Sequence, residues 1–263
     1  MRPRPAHAKG KSPRLPRRTR PAGPLRVLIT GFGPFPGVPV NPTERIAARV
    51  AHDLARQDRR IDVATEILPT EWAMLAGLPR RLDAHDPDLV VMTGVATNAR
   101  GIRIERTAHP SAGRSLRDAV GARPKMTWKR EPHGASRRTP VDVPALVARL
   151  NRAGVGIALS DDPGRYLCNA AYLTALDWAA HHRRPRPPVL FVHVPPPKLR
   201  TGAREPDLAG AVIRLVAEVL NAPGSGALRR PISGRCAGRR GNVSASGASG
   251  LPGRRRRNRA RRS

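Results

Sequence analysis

The sequence predicts an α/β fold: a single domain built on a mostly parallel sheet with helices on both faces, carried between disordered basic tails. Three observations carry this expectation. Short apolar runs alternate with amphipathic stretches in the order β-α-β-α-β, which requires right-handed crossovers and a parallel sheet. Two of the later runs, GVGIAL and PPVLFVHVPPP, read as buried strands on either side of a segment with helical apolar spacing. With 263 residues and 39% hydrophobic composition, the chain can bury one core and still have residues left for tails.

Residues 1–24 hold eight Lys or Arg and no acid, are rich in proline, and contain no apolar stretch of the kind a secretory signal needs. They bury too little to fold alone and are expected to be disordered. Order begins with LRVLITGFG, a strand running into a turn. The following GFGPFPG departs from the dinucleotide fingerprint G-x-G-x-x-G, and Pro34 and Pro36 remove two donors from any phosphate cradle, so the segment is a poor match to a nucleotide site. Phe32 and Phe35, two of the three phenylalanines, are expected on an exposed loop at the strand's end. NPTERIAARVAHDLARQ is a helix with Asn41 as cap, Pro42 in the first turn and Glu44 three residues on. IDVATEILPT is a strand, EWAMLAGLPRRLDAHD a helix, and DLVVMTGVA a strand reaching Gly94.

IRIERTA alternates, with Ile102 and Ile104 on one face and Arg103 and Glu105 on the other. Residues 111–140 carry little apolar periodicity and read as a long loop. VDVPALVARLNRAG is a helix, GVGIAL a short buried strand, LCNAAYLTALDWAAHH a helix, and PPVLFVHVPPP a strand. After a loop, PKLRTGA, the amphipathic REPDLAGAVIRLVAEVLN closes a domain spanning 25–222. Residues 223–263 hold twelve Arg and no acid in a Gly/Ser/Arg-rich tail that includes Cys236, which has no assigned role.

The formal charge of +30 is therefore uneven: the two ends supply 20 of it and leave +10 on the middle. Any nucleic-acid contact is expected only through the tails, because the middle holds no recognisable binding module. No run of 18 apolar residues exists, so no membrane partner is expected. Two cysteines in dissimilar surroundings give no disulfide framework, and a reducing, cytoplasmic location follows. No His, Cys or Asp cluster has metal-ligand spacing, and neither a metal nor any other cofactor is expected.

Cys168 lies in SDDPGRYLCNAAY, at or near a helix N-terminus, where unpaired N–H groups favour an anion. The thiol is therefore expected to ionise more readily than a free one. His193 stands at the C-terminal end of its strand, where open α/β sheets place their chemistry. A cysteine and a histidine at one sheet edge form a candidate nucleophile and base.

SDDPGRYLCNAAY resembles the nucleophile segment of the type I pyroglutamyl peptidases, and FVHVP resembles their histidine segment. LITGFGPFPGVPVNPTE, DLVVMTGVA and IRIERTA agree with further stretches of that family in the same order, over about Leu25 to Leu220. The resemblance implies a phosphorylase/hydrolase-like α/β fold and a thiol peptidase that removes N-terminal pyroglutamate from peptides through an acyl-enzyme. It implies Glu105 as the residue that orients His193, Phe32 and Phe35 as walls of the pyrrolidone pocket, and Arg100 as the arginine assisting the oxyanion, with Arg103 as its substitute. It also implies a homo-oligomer in which the 111–140 region lies over the site and makes subunit contacts. The alternative is a family member that has lost or changed this activity, motivated by a spacing from Arg100 to Glu105 one residue shorter than in familiar members, by Pro110 where an Asn is common, and by Pro163.

Overall fold

A computed structural model of the chain describes residues 23–113, 115–125, 135–182, 185–196 and 205–222. They belong to the first of two compact units, Met1–Pro231. The second, Ile232–Ser263, lies outside the described residues with Cys236, as do residues 1–22, the rest of the basic tail and the PKLRTGA loop.

In chain order the first elements are β1 (Leu25–Phe32), α1 (Pro42–Gln57), β2 (Ile61–Leu68), α2 (Met74–His85), β3 (Leu89–Val95) and β4 (Ile102–Glu105). There follow β5 (Thr107–Ala108), β6 (Arg137–Arg138), α3 (Val143–Arg152), β7 (Ile157–Ser160), α4 (Leu167–His181), β8 (Val189–Val194) and α5 (Glu205–Asn221). Six strands make one sheet in the order β2-β1-β3-β8-β4-β7. β2, β1, β3 and β8 are parallel; β4 lies antiparallel to β8 and parallel to β7, so the sheet is mixed at one side.

Strand alternation divides the core. Val27, Ile29, Val91 and Val192 face α1, α3 and α5, whereas Leu28, Met92 and Phe191 face α2 and α4. Phe191 is fully buried between Phe32 and Tyr172, at ring-centroid distances of 6.4 and 5.5 Å. Burial of such a side chain contributes about 1.5–3 kcal/mol.

Two local devices fix the end of β1. A Cβ on Gly31 would lie 2.5 Å from the Thr43 carbonyl oxygen, so only glycine lets the strand touch the first turn of α1. Asn41 caps that helix by accepting from the Thr43 N–H at 3.1 Å, and its amide donates to the Gly33 carbonyl at 2.9 Å.

Three expectations are corrected. GVGIAL is not a buried strand: β7 starts at Ile157, is the sheet's last strand, and leaves Leu159 39% exposed. IRIERTA is broken at Arg106, whose N–H donates to Ser160 O while its carbonyl accepts from Thr139 N, so Thr107–Ala108 join a separate ribbon with Arg137–Arg138. The 111–140 stretch thus ends in a strand. Its residues 115–122 are held by buried Asp118, which accepts from the N–H groups of Trp72, Val120 and Ala122. Among the described residues no helix is long and apolar enough to cross a membrane.

Candidate active site

β4, β8 and α4 bring three side chains together. In the β4–β8 pair, Arg103 lies opposite His193 and Glu105 opposite Phe191, so all four side chains share the face that α4 covers. His193 Nδ1 is 2.8 Å from Glu105 Oε1, with both groups buried. A carboxylate only accepts, so Nδ1 donates to Glu105, and in a neutral imidazole this places the lone pair on Nε2. Tyr172 donates its hydroxyl to the Glu105 carbonyl at 2.9 Å, and the Phe191 ring lies 4.9 Å from the imidazole. The imidazole is therefore held on several sides.

Cys168 is the second residue of α4, whose cap residue Tyr166 offers no side-chain hydrogen bond. The first intrahelical bond runs from Ala170 N to Tyr166 O, so the N–H groups of the opening residues project beyond the helix. The thiol lies over Gly94, where a Cβ would come within 2.8 Å of Sγ, and Gly94 is the residue paired with His193 on β3. Sulfur and imidazole thus lie over adjacent strands and line one cavity.

The expected acidity of the thiol is reversed. Burial pushes the Cys168 thiol up to about 12, the charge of Glu105 acts in the same direction, and the residue's own N–H only partly offsets them. The residue is half-buried and lines a cavity, and its sulfur rests over Gly94 beside the Phe191 ring. The Cys168 thiol is therefore held in its neutral form.

The cavity has a volume of about 350 Å³ and is lined by Cys168, His193, Phe32, Phe35, Tyr166 and Arg103, among others. Phe32 is not on an exposed loop: it is the last residue of β1 and is 2% exposed, because the strand runs one residue further than the glycines suggest. Phe35 is half-buried in a short turn closed by two hydrogen bonds with Val38. Tyr166 completes an aromatic wall, 6.1 Å from Phe35 and 5.5 Å edge-on to Trp72, and its hydroxyl donates to Arg117 O. Arg100 is exposed on the turn before β4 and does not line the cavity; Arg103, inside the strand, does. Arg103 Nε stands 3.9 Å from Glu105 Oε1.

A cysteine over the sheet, a histidine tied to a buried glutamate and an aromatic pocket occur here in the order that the sequence motifs set. The pyroglutamyl peptidase family model matches residues 25–206. The chain belongs to the pyroglutamyl peptidase family. It is 34% identical over 177 residues to the pyrrolidone-carboxylate peptidase of Gloeobacter violaceus, covering 65% of this chain and 82% of that one. It is 32% identical over 173 residues to human pyroglutamyl-peptidase 1, covering 65% and 78%. Among solved structures, the pyrrolidone carboxyl peptidase of Thermococcus litoralis aligns with a TM-score of 0.63 at 26% identity, over 73% of this chain and 92% of that one.

Four residues of this family member's site escape a reading of the sequence. Tyr166 and Asn169 flank the cysteine motif as polar choices in an apolar setting, and that was their signal. Asn169 is fully buried; it accepts from His109 N and donates to the carbonyls of His109 and Ser111. Tyr172 and Gly94 gave no signal, since their partners come from other strands. Among the described residues no group of three His, Cys, Asp or Glu side chains is arranged to hold a metal.

Proposed function

We propose that the protein is a thiol peptidase that hydrolyses the amide bond after an N-terminal pyroglutamyl residue, with Cys168 as nucleophile, His193 as base and acid, and Glu105 orienting His193. The observation that carries this reading is the Glu105–His193 contact at 2.8 Å beside a thiol seated over His193's strand neighbour, Gly94. Similarity to the named pyroglutamyl peptidases supports the substrate.

Each step follows from the groups present. His193 Nε2 takes the Cys168 proton as sulfur attacks the pyroglutamyl carbonyl, which compensates for a thiol that does not ionise alone. The oxyanion forms at the start of α4, where the Cys168 N–H can donate; a well-placed donor of this kind contributes about 3 kcal/mol to the transition state. The imidazolium, paired with Glu105, gives its proton to the departing amine and leaves a thioester. Water, losing a proton to His193, attacks the thioester; pyroglutamate departs and the thiol is restored.

Phe32, Phe35 and Tyr166 suit a flat, uncharged lactam ring. Against these three rings a free α-amine would lose its hydration. A reducing compartment such as the cytoplasm suits a free catalytic thiol. The resemblance extends the proposal to a homo-oligomer, which the particle mass in solution tests.

The direct experiment is turnover of a pyroglutamyl-linked chromogenic amide by the purified chain. Release of the chromophore is expected with the native sequence and not with Cys168→Ala. An inactive native chain would instead favour a re-purposed family member.

A further inference from the structure

Arg103 stands in the cavity wall with hydrogen-bonding capacity to spare. Its Nε is buried and has no hydrogen-bond partner among the described residues. The nearest carboxylate oxygen, Glu105 Oε1, is 3.9 Å away, beyond hydrogen-bond reach, and is already engaged by His193 at 2.8 Å. The side chain is 30% exposed and lines the cavity, so a permanently charged, fork-shaped donor faces the space that substrate enters.

Its place relative to the scissile bond follows from the strand register. The leaving nitrogen must come within hydrogen-bond reach of His193, and Arg103 is the residue directly across from His193, on the same face. Atoms attached one to three bonds beyond that nitrogen are therefore the ones that meet the guanidinium. The cavity's 350 Å³ is near the lower end of small-molecule sites, about 300–1,000 Å³, which suits a compact substrate. Asp162, the other charged side chain in the wall, is exposed, and its Oδ1 already accepts from the Gly164 N–H at 3.0 Å. Its charge repels a carboxylate from that side.

We infer that Arg103 forms a carboxylate subsite on the leaving-group side of the scissile bond, so that the preferred substrates are pyroglutamyl amino acids whose free α-carboxylate lies one residue beyond that bond. The inference rests on the peptidase reading of the site. A carboxylate offers the paired acceptors that a guanidinium fork matches, and an α-carboxylate is present at that distance only when the residue after pyroglutamate is the last one.

The test compares L-pyroglutamyl-L-alanine with L-pyroglutamyl-L-alaninamide on the full chain. The acid is expected to have at least tenfold higher kcat/KM, chiefly through KM, with the advantage shrinking as salt rises. In Arg103→Gln the acid-to-amide ratio is expected to fall to about one, and in Arg103→Lys to keep part of its value. Equal kcat/KM for the two substrates in the native chain, or an unchanged ratio in Arg103→Gln, would overturn the subsite and leave the peptidase reading intact. Turnover of neither substrate would overturn both. The native-chain comparison decides the matter even if the variants fold poorly.

Discussion

A methyl group at position 94 would lie 2.8 Å from Cys168 Sγ and 2.9 Å from Phe191 Cζ, closer than packed atoms approach. Gly94→Ala therefore has to displace either the sulfur or a fully buried ring, and the sulfur, on the half-buried residue, is the easier to move. Peptidase kcat/KM is expected to fall at least a hundredfold, with overpacking costing about 1–3 kcal/mol of stability. Thermal unfolding that loses far more than this would show that the ring moved instead. Phe35→Ala is expected to lower kcat/KM by about 1–3 kcal/mol, the scale of a hydrophobic pocket contact, with little change in stability. Phe32→Ala is expected to cost about 3–5 kcal/mol in folding as well, because Phe32 is a core residue. Thermal melts beside the kinetics separate the two.

The thiol sets a pH dependence of definite sign. Raised to about 12 in the fold against about 8.5 for an ordinary cysteine, Cys168 keeps its proton where the unfolded chain has lost it. Native protein then binds more protons than unfolded protein, so this group's stabilisation is whole below about 8.5 and is lost as pH rises toward 12. Alkylation by iodoacetamide is expected to be slow at pH 7 and still rising at pH 10; a plateau below pH 8 would mean a thiolate already formed at rest.

Cys168 and His193 stand out in the sequence as chemistry-bearing residues at element boundaries, whereas Glu105, on the polar side of an alternating strand between arginines, is picked out only by the family resemblance. The thiol's acidity was not legible, since the burial that sets it is made by Gly94 and Phe191 from other strands. Nor was the choice between Arg100 and Arg103, which depends on where the chain enters the sheet and not on spacing along it.

At the scale of elements, Asn169 ties the start of α4 to the segment leading from β5. That segment is tied again by His109, whose ring contacts Ser136 Oγ at 2.9 Å and the Asp161 carbonyl at 2.6 Å. The ribbon and the 161–166 loop are thereby fastened beside Cys168. Asn169→Ala removes three hydrogen bonds and leaves their backbone partners unmet, an expected cost of about 2–4 kcal/mol. A Tm lower by about 5–10 °C is the measurable consequence. Activity is expected to fall further than the melting point explains, because Asn169 adjoins the nucleophile. Unchanged kcat/KM at a temperature where the variant is folded would make these ties structural only.

Helices, strands and their order were readable from apolar periodicity, but pairing was not. Nothing in IRIERTA announces that Arg106 will change sheets, or that three residues of this strand will run against β8. Those outcomes depend on partners some 50 to 90 positions away, Ser160 and Phe191 among them.

At the scale of the whole molecule, the charge and the site separate. The twenty basic residues of 1–22 and 223–263 carry two thirds of the net +30, while the described surface pairs many of its arginines, among them Arg49 with Asp53, Arg81 with Glu66 and Arg149 with Glu218. Polyanion affinity scales with the number of phosphates neutralised, with log K falling by about 0.9 per contact for each tenfold rise in salt. A chain trimmed to 23–222, close to the proposed 25–222 domain, retains +10 and is expected to lose most of its binding to duplex DNA at 50 mM salt. The full chain is expected to bind there and to release by about 200 mM. Pyroglutamyl hydrolysis is expected to be the same in both, because every side chain assigned a role in the reaction lies between Phe32 and His193. Filter binding across a salt series and turnover of the chromogenic amide, run on the same two preparations, give the answer: DNA binding by the trimmed chain with the full chain's salt slope would move the polyanion contact onto the folded surface, and loss of turnover on trimming would draw the tails into the peptidase itself.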